Sequence, residues 1–127
     1  MTNTVEFELV SPEQLVTSQP VKMVVVPGTE GDLGILPGHA PLIAELRPGV
    51  IDIRDGEKIT EKIFVSGGFC EILPERCTVL ADEAIPFSEI NKEVAEQRLH
   101  SAKETENENE LRIAEVMLAA ATTQSIS

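Results

Sequence analysis

Short apolar segments separated by turn-forming residues occupy the first two thirds of the chain. Residues Val5 to Leu9 alternate apolar and acidic side chains, which is typical of a strand buried on one face. Similar segments recur about every 8–12 residues and end at turn signals such as Pro–Gly and Gly–Gly. They are Lys22–Val26, Ile35–Leu36, Leu42–Leu46, Val50–Arg54, Lys58–Thr60, Ile63–Val65, Phe69–Leu73 and Cys77–Ala81. We predict a sandwich or barrel of about eight to ten antiparallel strands.

Beyond Pro86 the spacing of apolar residues becomes helical, and no glycine or proline interrupts it. Apolar or small side chains recur about once per helical turn in two series, separated by the polar segment 103–110. The series are Ile90, Val94, Ala95, Leu99, Ala102 and Leu111, Ala114, Met117, Leu118, Ala121. They predict two antiparallel helices, the first capped by Ser88. We place a β-sandwich at residues 1–86 and a helical hairpin at residues 87–127.

The composition excludes several classes of protein. Hydrophobic residues make up 42% of the 127, too many for a disordered acidic tail. No stretch approaches the ~20 consecutive apolar residues of a transmembrane span. The formal net charge of -12 argues against nucleic acid or an anionic lipid surface as the main partner.

Residues suited to catalysis or ligand binding are few. His39 lies in a turn and His100 on the first predicted helix, and neither has further ligands nearby, so we expect no metal site. We expect Cys70 and Cys77 to be buried free thiols, with a redox pair as the alternative. The glycine-rich segment 28–34 carries two acidic residues and lacks the Lys-Ser/Thr of a phosphate-binding loop. We predict neither a cofactor nor enzyme activity for the chain by itself.

Several longer motifs resemble those of a known family. They are Leu9-Val10-Ser11-Pro12, Gly31-Asp32-Leu33-Gly34-Ile35-Leu36-Pro37-Gly38-His39-Ala40-Pro41, Leu46-Arg47-Pro48-Gly49, Val65-Ser66-Gly67-Gly68-Phe69 and Val79-Leu80-Ala81-Asp82. With the two-helix ending, they make the whole chain resemble the epsilon subunits of bacterial F-type ATP synthases, the counterparts of the mitochondrial delta subunit. The family's fold is a ten-stranded β-sandwich followed by an α-helical hairpin, which agrees with the division proposed above.

The resemblance implies a non-catalytic rotor subunit of the central stalk. Such a subunit binds gamma through its sandwich, touches the polar loops of the c-ring and couples proton-driven rotation to ATP synthesis. The ring-facing loop would run from Glu30 through Gly31 to His39, and Asp32 and His39 match the family's ring contacts. An acidic Asp32 would suit basic residues of the ring. The subunit would be peripheral, at the cytoplasmic face of the bacterial inner membrane.

The chain departs from the family in its hairpin. Some members bind ATP through Ile/Leu-Asp-x-x-Arg-Ala, but here Asn91 and Val94 replace the aspartate and the arginine between Ile90 and Ala95. Without the guanidinium, we expect no appreciable ATP binding.

The charge of the hairpin also differs from that of inhibitory members. In such members basic residues of the last helix meet acidic residues of beta, whereas here Arg112 is the single base after residue 104. We therefore expect weak inhibition and at most transient contact with alpha and beta. The alternative function is an independent acidic β-sandwich adaptor that recruits another protein.

Overall fold

The computed structural model describes residues 3–126, which form ten strands and two helices. The strands are β1 (Val5–Val10), β2 (Leu15–Val21), β3 (Met23–Gly28), β4 (Gly31–Ile35), β5 (Leu42–Leu46), β6 (Gly49–Asp55), β7 (Lys58–Val65), β8 (Gly68–Ile72), β9 (Arg76–Ala81) and β10 (Ala84–Pro86). A 3₁₀ turn (Phe87–Glu89) leads into α1 (Lys92–Thr105) and α2 (Glu108–Ile126). The predicted β-sandwich followed by a helical hairpin is confirmed.

Strand pairing connects all ten strands in the order β10-β7-β6-β3-β5-β8-β9-β1-β2, with β4 paired to β3 beside this path. The start of β3 pairs with β6 and its last residue with β5, so β3 connects the two groups of strands. All pairs are antiparallel except β1–β9. The predicted antiparallel pairing is found in all the other pairs, whereas β1 and β9 align in parallel, as the long chain segment between them allows.

The sandwich encloses an apolar core built from the inward side chains of alternating strand positions. Along β1, Val5, Phe7 and Leu9 are fully buried, whereas the intervening residues reach the surface. The core continues through Val24, Val26, Ile35, Ile51, Ile63, Val65, Cys70, Ile72, Cys77 and Val79. Burial of this apolar surface is the main force that holds the strands together.

Two strands and one helix cap differ from the predictions. β2 and β10 were not predicted, and the two short segments predicted between Lys58 and Val65 form one strand. Ser88 lies in the 3₁₀ turn and does not cap α1. Instead, the Asn91 side chain accepts hydrogen bonds from the backbone N–H groups of Glu93 and Val94 at 2.8 and 3.2 Å. Because Ile90 is extended, the helix can begin only after it.

The hairpin packs on the sandwich through a second apolar cluster. Phe64 of β7 is fully buried there among residues of both helices and of the connection to them. The other buried members are Ile90, Ala95, Ile113, Met117, Ala120 and Ala121, and Val50, Ile85 and Phe87 pack against them. This cluster is distinct from the sandwich core.

Candidate functional site

Three of the four residues predicted to face the ring lie together at the tip of the β3–β4 hairpin. Gly28 pairs with Gly31 across this tip, and Glu30 and Asp32 are exposed on either side of Gly31. All three of Glu30, Gly31 and Asp32 line a cleft of about 250 Å³ between the hairpin and β5. The tip therefore presents these residues as one small surface.

Arg47, in the connection between β5 and β6, neutralises Asp32. Its Nη2 lies 2.7 Å from Asp32 Oδ1, and its Nη1 donates a hydrogen bond to the Gly28 carbonyl oxygen. Its backbone N–H donates to the Pro27 carbonyl at 2.9 Å. No local sequence pattern predicts this role of Arg47, because Arg47 and Asp32 are 15 positions apart. Asp32 is thus already paired, which weakens the expectation of an ion pair with the ring.

His39 lies in a separate turn beyond the far end of β4. Its backbone N–H donates to the Leu36 carbonyl at 3.2 Å, and Gly38 has φ +86°, as the third position of a type II turn requires. The Gly38 N–H donates to the Pro74 carbonyl at 2.7 Å, which fastens this turn to the β8–β9 turn. His39 Nδ1 is 2.7 Å from the Ala40 carbonyl oxygen. His39 does not line the cleft with the other three residues.

A row of apolar side chains, exposed except for the partly buried Val10, crosses four adjacent strands. Phe69 of β8 pairs with Leu80 of β9, Leu80 with Val10 of β1, and Val10 with Leu15 of β2. Phe69, Leu80 and Leu15 are 55%, 56% and 57% exposed. Because neighbouring strands lie about 4.8 Å apart, the row is roughly 14 Å long. We call these four residues the apolar row. Large exposed apolar side chains that adjoin in this way mark a surface for another protein.

Acidic side chains border the apolar row on the same face. Glu45 pairs with Phe69 at one end, and the next cross-strand row contains Glu71 and Glu8. Arg76 lies 3.6 Å from Glu8, the one ion pair of that border in the described chain. This surface is therefore suited to a partner that offers an apolar patch flanked by basic residues.

Three of the four positions that match the ATP motif serve the hairpin's own structure. Ile90 and Ala95 are buried in the hairpin cluster and Asn91 caps α1, whereas Val94 is about half exposed. No cationic side chain occupies the motif's arginine position, because that position is Val94. The amide of Asn91 accepts two backbone hydrogen bonds, so it is committed to the helix start.

The two cysteines are free thiols in the sandwich core, with their Sγ atoms 3.4 Å apart. A hydrogen bond with Cys70 and burial raise the pKa of the Cys77 thiol far above its usual range. Burial and the raised pKa therefore disfavour the thiolate of Cys77, which is the reactive form, at neutral pH.

Over residues 3–126, no cluster of three or more histidine, cysteine or acidic side chains could hold a metal ion. None of the helices in this part of the chain is long and apolar enough to cross a membrane. His100 makes a surface pair with Glu104 at 2.9 Å instead of joining His39.

The fold and its surfaces define a class: a β-sandwich with a docked helical hairpin and an exposed apolar row for another protein. The family model for the β-sandwich domain of the ATP synthase delta/epsilon chain matches residues 4–87. The chain is 50% identical to the ATP synthase epsilon chain of Rhodospirillum rubrum over an alignment of 131 positions, which covers 94% of this chain and 98% of the relative. The chain belongs to the ATP synthase delta/epsilon family.

A second relative agrees with this assignment, and two solved structures share the fold. The epsilon chain of Paramagnetospirillum magneticum is 57% identical over 104 residues, 82% of this chain and 78% of the relative. A chain of the Euglena gracilis mitochondrial ATP synthase has the same fold, with a TM-score of 0.79, 24% identity and coverage of 94% of this chain and 82% of that one. A chain in the structure of the central stalk and c-ring of the Tetrahymena thermophila mitochondrial ATP synthase also has this fold, with a TM-score of 0.59 and 13% identity. The match covers 90% of this chain and 96% of that one.

Proposed function

We propose that this protein is a rotor subunit of an ATP synthase that couples rotation of the c-ring to ATP synthesis and has no active site of its own. The observation that carries the proposal is the match to ATP synthase epsilon chains along nearly the whole chain. The solved assemblies that contain the same fold include a central stalk with its c-ring. In this role the protein is peripheral, held at the cytoplasmic face of a bacterial membrane through its complex.

The gamma subunit is the proposed partner of the apolar row. Phe69, Leu80 and Leu15 are each more than half exposed in the free chain, so a partner can bury most of their surface. Burial yields about 25 cal/mol per Å² before the costs of association. The bordering carboxylates would select a basic rim on gamma and fix its orientation more than they add to affinity.

We expect co-expression with the gamma subunit from the same organism to yield an equimolar complex that survives gel filtration. The apolar row is large enough for a stable interface only together with neighbouring surface, so gamma has to cover several strands. Gel filtration with subunit quantification measures this outcome. Failure to bind gamma, together with recovery of an unrelated partner from cells, would support the adaptor function instead.

The tip of the β3–β4 hairpin is the proposed contact with the c-ring. Glu30, Gly31 and Asp32 are exposed there, and Arg47 holds the tip in place. Because Asp32 is paired with Arg47, Glu30 is the carboxylate that remains available to basic ring residues. We propose His39 as a second contact, made by the separate turn at residues 36–39. Exposed ion pairs of this kind contribute about 0–1 kcal/mol each, so they set register more than affinity.

The sandwich of residues 1–86 is the proposed attachment unit, and residues 87–127 are the proposed movable unit. After residue 105 the hairpin carries four glutamates, at positions 106, 108, 110 and 115, and a single base, Arg112. Approach of this hairpin to an acidic surface on beta is therefore unfavourable. The changed motif from Ile90 to Ala95 also removes the charged partner of a triphosphate. We therefore propose that the hairpin is neither a strong inhibitor nor an ATP sensor.

Deleting residues 88–127 is expected to change ATP hydrolysis by the assembled enzyme less than about twofold, because like charges disfavour an inhibitory contact. The rate has to be measured per assembled complex, since the deletion uncovers Phe64 and the other apolar residues beneath the hairpin. Subunit composition of the purified enzyme provides that correction. A many-fold rise in hydrolysis per complex would contradict weak inhibition.

A further inference from the structure

Arg98 of α1 connects both helices to the sandwich. Its Nη1 donates to the two carboxylate oxygens of Glu83 at 3.0 and 2.9 Å. Its Nε and Nη2 lie 2.8 and 2.7 Å from Glu110 Oε1 at the start of α2. Glu83 lies between β9 and β10, where its carbonyl accepts a hydrogen bond from Ser66 at 3.1 Å. One guanidinium thus bonds to a fixed point of the sandwich and to the second helix.

The surroundings of this bridge are strongly acidic. Arg98 lines a cleft of about 590 Å³ between the hairpin and the sandwich, with four carboxylates from Glu13, Asp82, Glu83 and Glu110. Among the residues that line the cleft, Arg98 is the only base. Without it, carboxylates of the sandwich would face the carboxylate of Glu110 with no cation between them. Its charge therefore turns a repulsive contact into an attractive one.

We propose that Arg98 is a latch that acts with the apolar cluster to keep the hairpin docked, and that loss of its charge makes release of the hairpin about tenfold more frequent while the sandwich stays folded. The separation of the two apolar clusters supports the second half of this proposal, because the core of the sandwich contains no helix residue among those whose side chains the structure describes. The inference concerns the equilibrium of the chain itself, so it can fail while the proposed role in an ATP synthase holds.

The charge of the latch is permanent. Partial burial opposes the charged form, but hydrogen bonds to Glu110 and Glu83 outweigh it and raise the pKa of Arg98. At neutral pH the Arg98 guanidinium is therefore always charged, and its attraction to the facing carboxylates of Glu13, Asp82, Glu83 and Glu110 depends on ionic strength.

The test compares Arg98→Met with Arg112→Met in the full chain by hydrogen exchange. Both changes remove one guanidinium from the hairpin and keep a long helix-forming side chain. Arg112 is exposed and makes no ion pair within the described residues, so it is the matched control. We expect exchange of the α1 and α2 amides to accelerate about tenfold in Arg98→Met and to change little in the control. Strand amides report global unfolding in the same experiment.

The salt dependence of helix amide exchange distinguishes an electrostatic role of Arg98 from a role in packing alone. In the wild type, raising NaCl from about 0.02 M to about 0.5 M screens an attraction and accelerates helix exchange. In Arg98→Met the same change screens a repulsion between carboxylates and slows helix exchange. Arg98→Lys keeps the charge and is expected to retain the wild-type direction. If strand amides accelerate equally, or if the salt response of Arg98→Met keeps the wild-type direction, the latch is contradicted.

Discussion

Gly68→Ala is expected to destabilise the sandwich by about 4 kcal/mol or more, at the extreme of what single substitutions do. Gly68 begins β8 at φ +137°, between Leu46 of β5 and Ala81 of β9. A Cβ there would lie 2.1 Å from the Leu80 carbonyl oxygen and 2.9 Å from the Ala81 Cα. Both atoms belong to the backbone of a paired strand, so relief requires β9 to move. Urea unfolding measures the loss.

Gly31→Ala is the matched control for this prediction. Gly31 has nearly the same backbone angle, φ +133°, but a Cβ there would meet nothing within 4 Å. Its cost is expected to be the backbone strain alone, about 1–3 kcal/mol. The difference between the two variants therefore isolates the close approach of β8 to β9. Equal losses would contradict a steric origin of the Gly68 requirement.

The overall architecture could be predicted because its signals are local. Alternation along β1 and helical spacing after Pro86 each lie within a short window of sequence. β2 was missed because Pro20 and the polar residues before it argue against a strand. In the fold, β2 is the last strand of the pairing order, and an edge strand tolerates proline since one side needs no ladder hydrogen bonds.

The interaction surfaces could not be predicted from local patterns, because they form between distant segments. Phe69 and Leu80 resemble core residues in the sequence, and only the pairing of β8, β9, β1 and β2 places them in one exposed row. In the same way, Arg98 meets Glu83 and Glu110 only when the helices fold back on the sandwich. The pairing of Asp32 with Arg47 likewise depends on the β5–β6 connection. Charge counts alone could not reveal which of these residues neutralise one another.

The hairpin covers one apolar surface of the sandwich and leaves the apolar row uncovered. Phe64 is hidden by the hairpin in the free chain, whereas Phe69 is open to solvent without any movement. A partner can therefore bind the apolar row while the hairpin stays docked. It follows that attachment to gamma and release of the hairpin are separate events, and that variants can affect one without the other.

Phe69→Glu is expected to weaken binding to the gamma subunit by about 100-fold or more. A buried aromatic side chain at the centre of an interface contributes on the order of 2–4 kcal/mol, and the new carboxylate would also be desolvated. Each 1.4 kcal/mol is about tenfold in affinity. Since Phe69 is more than half exposed in the free chain, the fold should tolerate the change. Calorimetric or optical titration with purified gamma measures the affinity.

Ile59→Glu is the control that separates a loss of this surface from a general effect of added charge. Ile59 is also an exposed apolar strand residue, 38% accessible, but it lies on β7, away from the apolar row. Its affinity for gamma is expected to stay within about threefold of the wild type, as for a residue outside the interface. Leu80→Glu should reproduce the loss, because Leu80 is the cross-strand neighbour of Phe69. If Phe69→Glu and Leu80→Glu both bind gamma as tightly as the wild type, gamma binds another face of the sandwich.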